Sequence, residues 1–94
     1  MSFPACRSSG GKTSSALIHT GLCKLISVHL SNSHGSNATT LIVYDNNAAS
    51  GTIVAKMVLG AGLNLEYDMH GVRCDNGLYL SLSGGTALAT VEFA

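Results

Sequence analysis

The sequence has few charged residues and no long apolar segment. Only 11% of the 94 residues are charged, against about 25% in a typical soluble domain, and five Lys and Arg balance five Asp and Glu. No two cations are adjacent, so the basic patch of a nucleic-acid-binding protein is missing. Apolar runs such as Leu41–Tyr44 are far shorter than the roughly 20 residues of a membrane span. These absences predict that neither nucleic acid nor a membrane is a partner.

The cysteines follow no recognisable pairing or metal-binding pattern. Cys6, Cys23 and Cys74 are odd in number, none has CxxC spacing, and the four histidines lack the spacing of a zinc finger. Ser and Gly interrupt residues 1–21, so no apolar stretch of signal-peptide length is present. We therefore predict synthesis in a cytoplasm and three reduced thiols, with a Cys6–Cys23 disulfide or an intermolecular disulfide through Cys6 as the alternatives.

Signals for catalysis and cofactor binding are also missing. Gly11–Thr13 resembles the end of a phosphate-binding loop, but position 6 is Cys6 and no strand precedes it. The chain contains no local signature of a nucleophilic Ser or Cys. His70 beside aspartates, and the segment Asp45–Asn47, could offer metal ligands, but these residue types are also typical of turns. The sequence predicts no enzyme, no cofactor and no metal site.

What the sequence does contain is a repeated alternation of apolar and polar side chains. The period of two residues is clear in Ile26–Ser31, Leu78–Ser83 and Thr86–Phe93. Asn76-Gly77 is a strong two-residue hairpin signal, and His70-Gly71 also predicts a turn.

These strand and turn signals predict an all-β fold. We expect a compact antiparallel sandwich, jelly-roll-like, of about seven or eight strands, because turn residues recur about every 8–12 positions. Residues 1–15 are rich in Ser and Gly and have no periodic pattern, so they are predicted to form a flexible N-terminal arm. Residues 16–94 form the predicted sandwich domain.

The alternation divides the large apolar side chains between two faces. One face supplies the predicted core: Ile26, Val28, Leu30, Ile42, Val54, Val58, Leu65, Tyr67, Leu78, Leu80, Leu82, Val91 and Phe93. The others are predicted to form a homo-oligomer interface: Leu25, Leu41, Val43, Ile53, Met57 and Leu88. A lone small domain rarely exposes so large an apolar patch, and hiding each side chain contributes about 1.5–3 kcal/mol. The alternative is that the strands twist and some of these residues join the core.

Three motifs resemble a known family. The segments Asp45–Thr52 (DNNAASGT), Gly60–Gly62 (GAG) and Asn76–Leu82 (NGLYLSL), with an Ala/Thr/Val-rich last strand, are similar to segments of small all-β virion proteins of tailed bacteriophages. The likeness covers residues 16–94. It implies a jelly-roll-like sandwich that assembles as a homo-oligomer, often a trimer, and it supplies no catalytic residues.

The resemblance implies a non-enzymatic structural protein of the phage particle. The first expectation is a capsid cement (decoration) protein, made in the bacterial host cytoplasm and located in the virion, that binds the major capsid protein and stabilises the head. The predicted arm would contact a neighbouring capsid subunit through Phe3, Pro4, Arg7 and Lys12. Two alternatives remain open: a neck, tail, baseplate or fibre-base component, and a carbohydrate-binding β-sandwich module. The lack of Trp and the 5% aromatic content weigh against the last one.

Overall fold

The computed structural model describes residues 6–94, in which all regular structure is β. The strands in chain order are β1 (Arg7–Ser8), β2 (Ala16–Thr20), β3 (Cys23–Asn32), β4 (Thr39–Asp45), β5 (Thr52–Leu59), β6 (Asn64–Cys74), β7 (Gly77–Ser83) and β8 (Ala87–Phe93). The prediction of an all-β chain with about seven or eight strands is confirmed. Within residues 6–94 there is no helix that could cross a membrane.

The strands form two four-stranded sheets in which every pairing is antiparallel. Sheet A has the order β1-β8-β3-β6, and sheet B has the order β2-β7-β4-β5. Only β4 and β5 are consecutive strands that pair directly, so the other connections cross from one sheet to the other. This is the strand order of a jelly roll, a double-sheet sandwich built from two Greek keys.

The longest strand, β6, corrects one expectation from the sequence. Instead of a turn at His70-Gly71, the chain continues as one strand, in which Asp68 and Val72 pair with β3 residues only two positions apart. His70 and Gly71 have positive φ angles of 56° and 80°. The extra residues therefore bulge out of the ladder and do not reverse the chain.

The core lies between the two sheets. Its buried apolar side chains are Cys23, Leu25, Val28, Leu30, Leu41, Val43, Met57, Leu59, Cys74, Leu78, Leu80, Ala89, Val91 and Phe93. Of the predicted core, Val28, Leu30, Leu78, Leu80, Val91 and Phe93 are buried, and Val54, Leu65 and Leu82 are partly buried against the cluster. The prediction is wrong for Val58 and Tyr67, which are exposed, and for Ile26 and Ile42, which are only half-buried outside the cluster.

The wrong assignments have a common physical cause. In β4 both faces are apolar, so a period of two residues does not tell which face is the inner one. Irregular register between Leu25 and Ser27, and between Val43 and Tyr44, also shifts which side chains point inward. The core side of β4, with Leu41 and Val43, and Met57 of β5 are consequently the positions that the sequence assigned to an interface.

The N-terminal segment differs from the predicted free arm wherever the structure describes it. Arg7 and Ser8 pair with Phe93 and Glu92 of β8, and farther along Lys12 forms a bridge with Ala89. Residues 6–12 therefore cover the outer edge of β8. Main-chain hydrogen bonding needs no apolar pattern, so a Ser- and Gly-rich segment can occupy a sheet edge.

One buried polar side chain, Asn32, organises the end of the sandwich where three loops meet. Its side-chain nitrogen donates to the carbonyls of Asn37 (2.9 Å) and Leu59 (3.1 Å). Its side-chain oxygen accepts from the backbone N–H groups of His34 and Thr86, both at 3.1 Å. Asn32 is 1% exposed, so these bonds replace the water that burial removes.

Candidate interaction surface

The outward side of sheet B carries one apolar row that crosses all four strands, beside rows that also contain Thr40, Ser81, Ser83 and Lys56. Because side chains alternate along a strand, the residues between the buried positions of β4, β5 and β7 point outward. Cα register places Leu17, Tyr79, Tyr44 and Ile53 in one row across the four strands. Ile42 lies on the same side in the next row, between Ser81 and Lys56, and Val58 lies one row farther, beside Thr40. We call these six residues the apolar face.

The apolar face is accessible to solvent in the isolated chain. Leu17, Ile53 and Val58 are 48%, 51% and 64% exposed, and Ile42, Tyr44 and Tyr79 are half-buried. Lys56, opposite Ile42, is the cation on this side of β5. Covering these side chains would remove apolar area from water, so this side is a candidate interaction surface.

The structure places the predicted interface residues in three different environments. Leu25, Leu41, Val43 and Met57 lie in the core with at most 3% exposure, so they are not available to another folded chain. Ile53 lies on the apolar face, and Leu88 is exposed on the outer side of sheet A. The predicted interface is therefore wrong for four of its six members and is split for the other two. The partners of Ile53 on the apolar face were missed because Ile42 and Val58 were assigned to the core.

The predicted arm contacts are also redistributed. Arg7 and Lys12 pair through their backbone with β8 of the same chain. The Arg7 side chain remains exposed, and that of Lys12 is partly exposed. Phe3 and Pro4 lie outside the described residues.

The outward side of sheet A is polar and contrasts with the apolar face. The Ser27 hydroxyl donates to Glu92 Oε1 at 2.6 Å, and His29 Nε2 lies 3.4 Å from the same oxygen. His29 Nδ1 lies 3.5 Å from Glu66 Oε2. The bond from Ser27, and then that from His29, lower the pKa of the Glu92 carboxyl. This cluster links β8, β3 and β6 across the sheet.

The cluster contains the residue types of a Ser-His-acid triad in a different arrangement. The Ser27 hydroxyl donates its hydrogen bond to Glu92, although His29 Nε2 also lies 3.3 Å from the hydroxyl oxygen. A nucleophilic serine needs its proton directed to the imidazole base. Strand β3 also lies between two partners, so its ladder N–H groups are already used and do not form an oxyanion site. The cluster is suited to holding strands together, and the absence of enzymatic activity stays a prediction.

The two segments that could have offered metal ligands have other roles, since Asp45 binds the β6–β7 turn and His70 lies in the bulge of β6. Asp45 accepts backbone N–H bonds from Asp75 (3.1 Å) and Asn76 (2.8 Å), which lower the pKa of its carboxyl. His70 Nδ1 lies 3.5 Å from Asp68, and Asp75 pairs with the Arg73 guanidinium at 2.6 Å. Among residues 6–94 there is no group of three or more His, Cys, Asp or Glu side chains placed to hold a metal ion.

Comparison with known proteins yields a likeness of fold. No family model matches the sequence, and neither does any curated protein. The structure is similar to a chain from a solved structure of Bacillus endospore appendages, described as a family of disulfide-linked pili. The match covers 95% of this chain and 81% of that one, with a TM-score of 0.50 and 16% sequence identity. At that identity the likeness is one of fold.

Proposed function

We propose that this protein is a non-enzymatic structural subunit that assembles with copies of itself through the apolar face of sheet B. The observation that carries the proposal is the continuous row of Leu17, Tyr79, Tyr44 and Ile53 across all four strands of the sheet. Covering such a row with a second apolar surface stabilises the assembly, because it removes apolar area from water.

A copy of the same chain is a suitable partner for this face. Glu66 and Glu92 lie on the outer side of sheet A, and the Asp45 carboxylate at the end of β4 accepts hydrogen bonds from the backbone N–H groups of Asn76 and Asp75. Lys56 is flexible at its end, and its aliphatic stem can lie along an apolar partner. When two apolar faces meet, the carboxylates of Glu66 and Glu92 therefore stay exposed on the other side of each chain.

Within that class of protein, we propose the role of a capsid cement protein on the head of a tailed bacteriophage, bound to the major capsid protein as a homo-oligomer, in the trimeric form that the resemblance implies. Support comes from the resemblance of the Asp45–Thr52, Gly60–Gly62 and Asn76–Leu82 motifs, and from the jelly-roll strand order. Such a protein adds contact area across capsomer boundaries, so that more interface must break before the shell opens. A neck, tail, baseplate or fibre-base part remains the alternative location.

A filament subunit is a second candidate, supported by the similar fold of the endospore pilus chain. The two candidates differ in the geometry of assembly. A cement protein forms closed oligomers, whereas a pilus subunit forms open, growing ones. Electron microscopy of the concentrated protein distinguishes rings or compact particles from filaments.

Charged substitutions on the apolar face test self-association. Ile53→Asp combined with Val58→Asp places two carboxylates on outward positions of β5, so we expect the oligomer to dissociate to monomers in light scattering. Leu88→Asp is the matched control, because Leu88 is also about half exposed (48%) but lies on sheet A. Dissociation by the control alone, or unchanged mass in the double variant, would contradict the proposed surface.

The cement role needs a separate test on particles. Virions with and without this protein are heated, and release of the packaged DNA is followed. We expect release at a lower temperature when the protein is missing. Equal resistance of the two kinds of particle would exclude the cement role while leaving self-association intact.

A further inference from the structure

We propose that Cys23 and Cys74 form an intramolecular disulfide that ties strand β6 to strand β3 when the chain is in an oxidising environment. The sequence alone gave no reason to pair them, since β3 and β6 are far apart along the chain. The antiparallel register makes them direct Cα partners.

The geometry of this pair suits a disulfide. Directly opposed residues of an antiparallel ladder have Cα atoms about 4.5–5.5 Å apart, within the range of about 4.4–6.8 Å found for disulfides. Both side chains point into the core, where Cys23 is 4% exposed and Cys74 is 0% exposed.

The third cysteine is not a competing partner within one chain. Cys6 is exposed, and its Sγ lies 3.9 Å from Glu92 Oε2 on the outer side of sheet A. Cys23 lies on the inner side of the same sheet. The sheet therefore separates the two sulfurs, and the predicted alternative of a Cys6–Cys23 bond is disfavoured.

The position of the pair gives the bond a mechanical consequence. Strand β6 is the last strand of sheet A and has a ladder partner on one side, β3. The bulge at His70-Gly71 interrupts that ladder and sets residues 72–74 apart as a short end segment. A covalent bond at Cys74 fixes the end that the bulge separates from the rest of the strand.

Cys23 offers the point of entry for an oxidant. An open cavity of about 420 Å³ is lined by Leu22, Cys23, Lys24, Arg73 and Ala94, with two cationic side chains at its rim. Cys74 is not among the lining residues. A small disulfide such as glutathione disulfide therefore reaches Cys23 before Cys74 from this side when the end of β6 opens.

The reaction balances as two thiol–disulfide exchanges. The Cys23 thiol loses its proton and attacks one sulfur of the small disulfide; that S–S bond breaks, and the leaving thiolate takes up a proton. Cys74 then loses its proton and attacks Cys23 Sγ, which releases the second small thiol. Two cysteines are oxidised, and one small disulfide is reduced to two thiols.

Burial slows this exchange in the folded chain. Loss of solvent raises the pKa of the Cys74 thiol to about 12, and it also raises the pKa of Cys23. The thiols therefore stay protonated near neutral pH. Reaction is expected during folding, or when the end of β6 opens, before the sulfurs are enclosed.

The test uses a Cys6→Ser variant, which leaves two cysteines, refolded from denaturant in a glutathione redox buffer. After denaturation and alkylation we expect a mass lower by two hydrogen atoms and no alkylated cysteine. Against the reduced protein, the melting temperature rises by about 10 °C or more, since the bond closes a long loop. The control Cys6→Ser/Cys23→Ser has one cysteine and gains neither effect.

The contrary results are equally clear. Complete alkylation of Cys23 and Cys74 after refolding under oxidising conditions, or a covalent dimer in place of the intramolecular bond, would overturn the proposal. An intramolecular bond that leaves the melting temperature unchanged would refute the role assigned to it in fixing β6.

Discussion

At the scale of single residues, Asn32 shows how much one buried amide can organise. It lies at the end of β3, and its side chain binds backbone groups of the β3–β4 loop, of β5 and of the β7–β8 turn. Each of these groups is removed from water and needs a partner. The sequence motif Asn32–Asn37 predicted only a loop, because two of the partners of the Asn32 side chain, Leu59 and Thr86, lie far away along the chain.

Replacing Asn32 with Ala is expected to destabilise the protein by about 2–4 kcal/mol. The substitution leaves two carbonyls and two N–H groups without their partners at once. Urea denaturation measures the change in the free energy of unfolding. Asn64→Ala, at an exposed position of β6, is the control and should shift it by less than about 0.5 kcal/mol. Equal effects would show that the network does not stabilise the fold.

The lowered pKa of Asp45 predicts that the fold is less stable in acid. Its carboxylate accepts backbone bonds from Asn76 and Asp75, and its pKa is below the ordinary value of 3.8. A depressed folded-state pKa stabilises above the ordinary value, and this stability is lost as pH falls through the folded pKa. Asp45→Asn should therefore be less stable than the natural chain above pH 5, by less than about 1 kcal/mol because solvent screens the site. The difference should shrink below 3.8, and a constant difference in urea midpoints across that range would contradict it.

At the scale of elements, most strands could be predicted from the sequence, but their inward faces could not. Alternation in β3, β7 and β8 identified Val28, Leu80 and Val91 as core residues because the opposite face of each strand is polar there. In β4 and β5 both faces are apolar, and the decision depends on register and bulges set by distant strands. The sequence therefore indicated an excess of apolar side chains, but it assigned Ile42 and Val58 of the apolar face to the core and Leu41, Val43 and Met57 of the core to an interface.

Segment 6–12 shows a second limit of sequence patterns at this scale. It carries no alternation, yet the N–H groups of Ala89 and Val91 donate to Lys12 O (2.8 Å) and Ser9 Oγ (2.9 Å). A sheet edge is covered by backbone and hydroxyl groups, which almost any sequence supplies. Because this pairing needs no particular pattern of side chains, it could not be predicted from the sequence.

Hydrogen exchange tests whether this segment remains on β8. We expect the amides of Ala89 and Val91 to exchange orders of magnitude more slowly than in an unfolded chain, because both are bonded to the N-terminal segment. Deleting residues 1–12 removes these bonds and should raise both rates. Fast exchange of the two amides in the full chain would instead indicate a free arm.

At the scale of the whole molecule, the two outer sides of the sandwich have opposite characters. Sheet A presents the Ser27, His29, Glu66 and Glu92 cluster, whereas sheet B presents the apolar face. Glu66 and Glu92 lie on the outer side of sheet A, whereas the exposed Leu17, Ile53 and Val58 lie on that of sheet B. The proposed self-association covers the outer side of sheet B.

The central claim is that this chain assembles with itself. The most direct test is the molar mass of the purified, reduced protein by multi-angle light scattering during gel filtration, where reduction excludes links through Cys6. We predict a mass of at least twice that of the monomer, and three times if the resemblance to phage virion proteins extends to assembly. The Ile53→Asp/Val58→Asp variant should return to the monomer mass. A stable monomer across micromolar concentrations, with the apolar face open to solvent, would contradict the account.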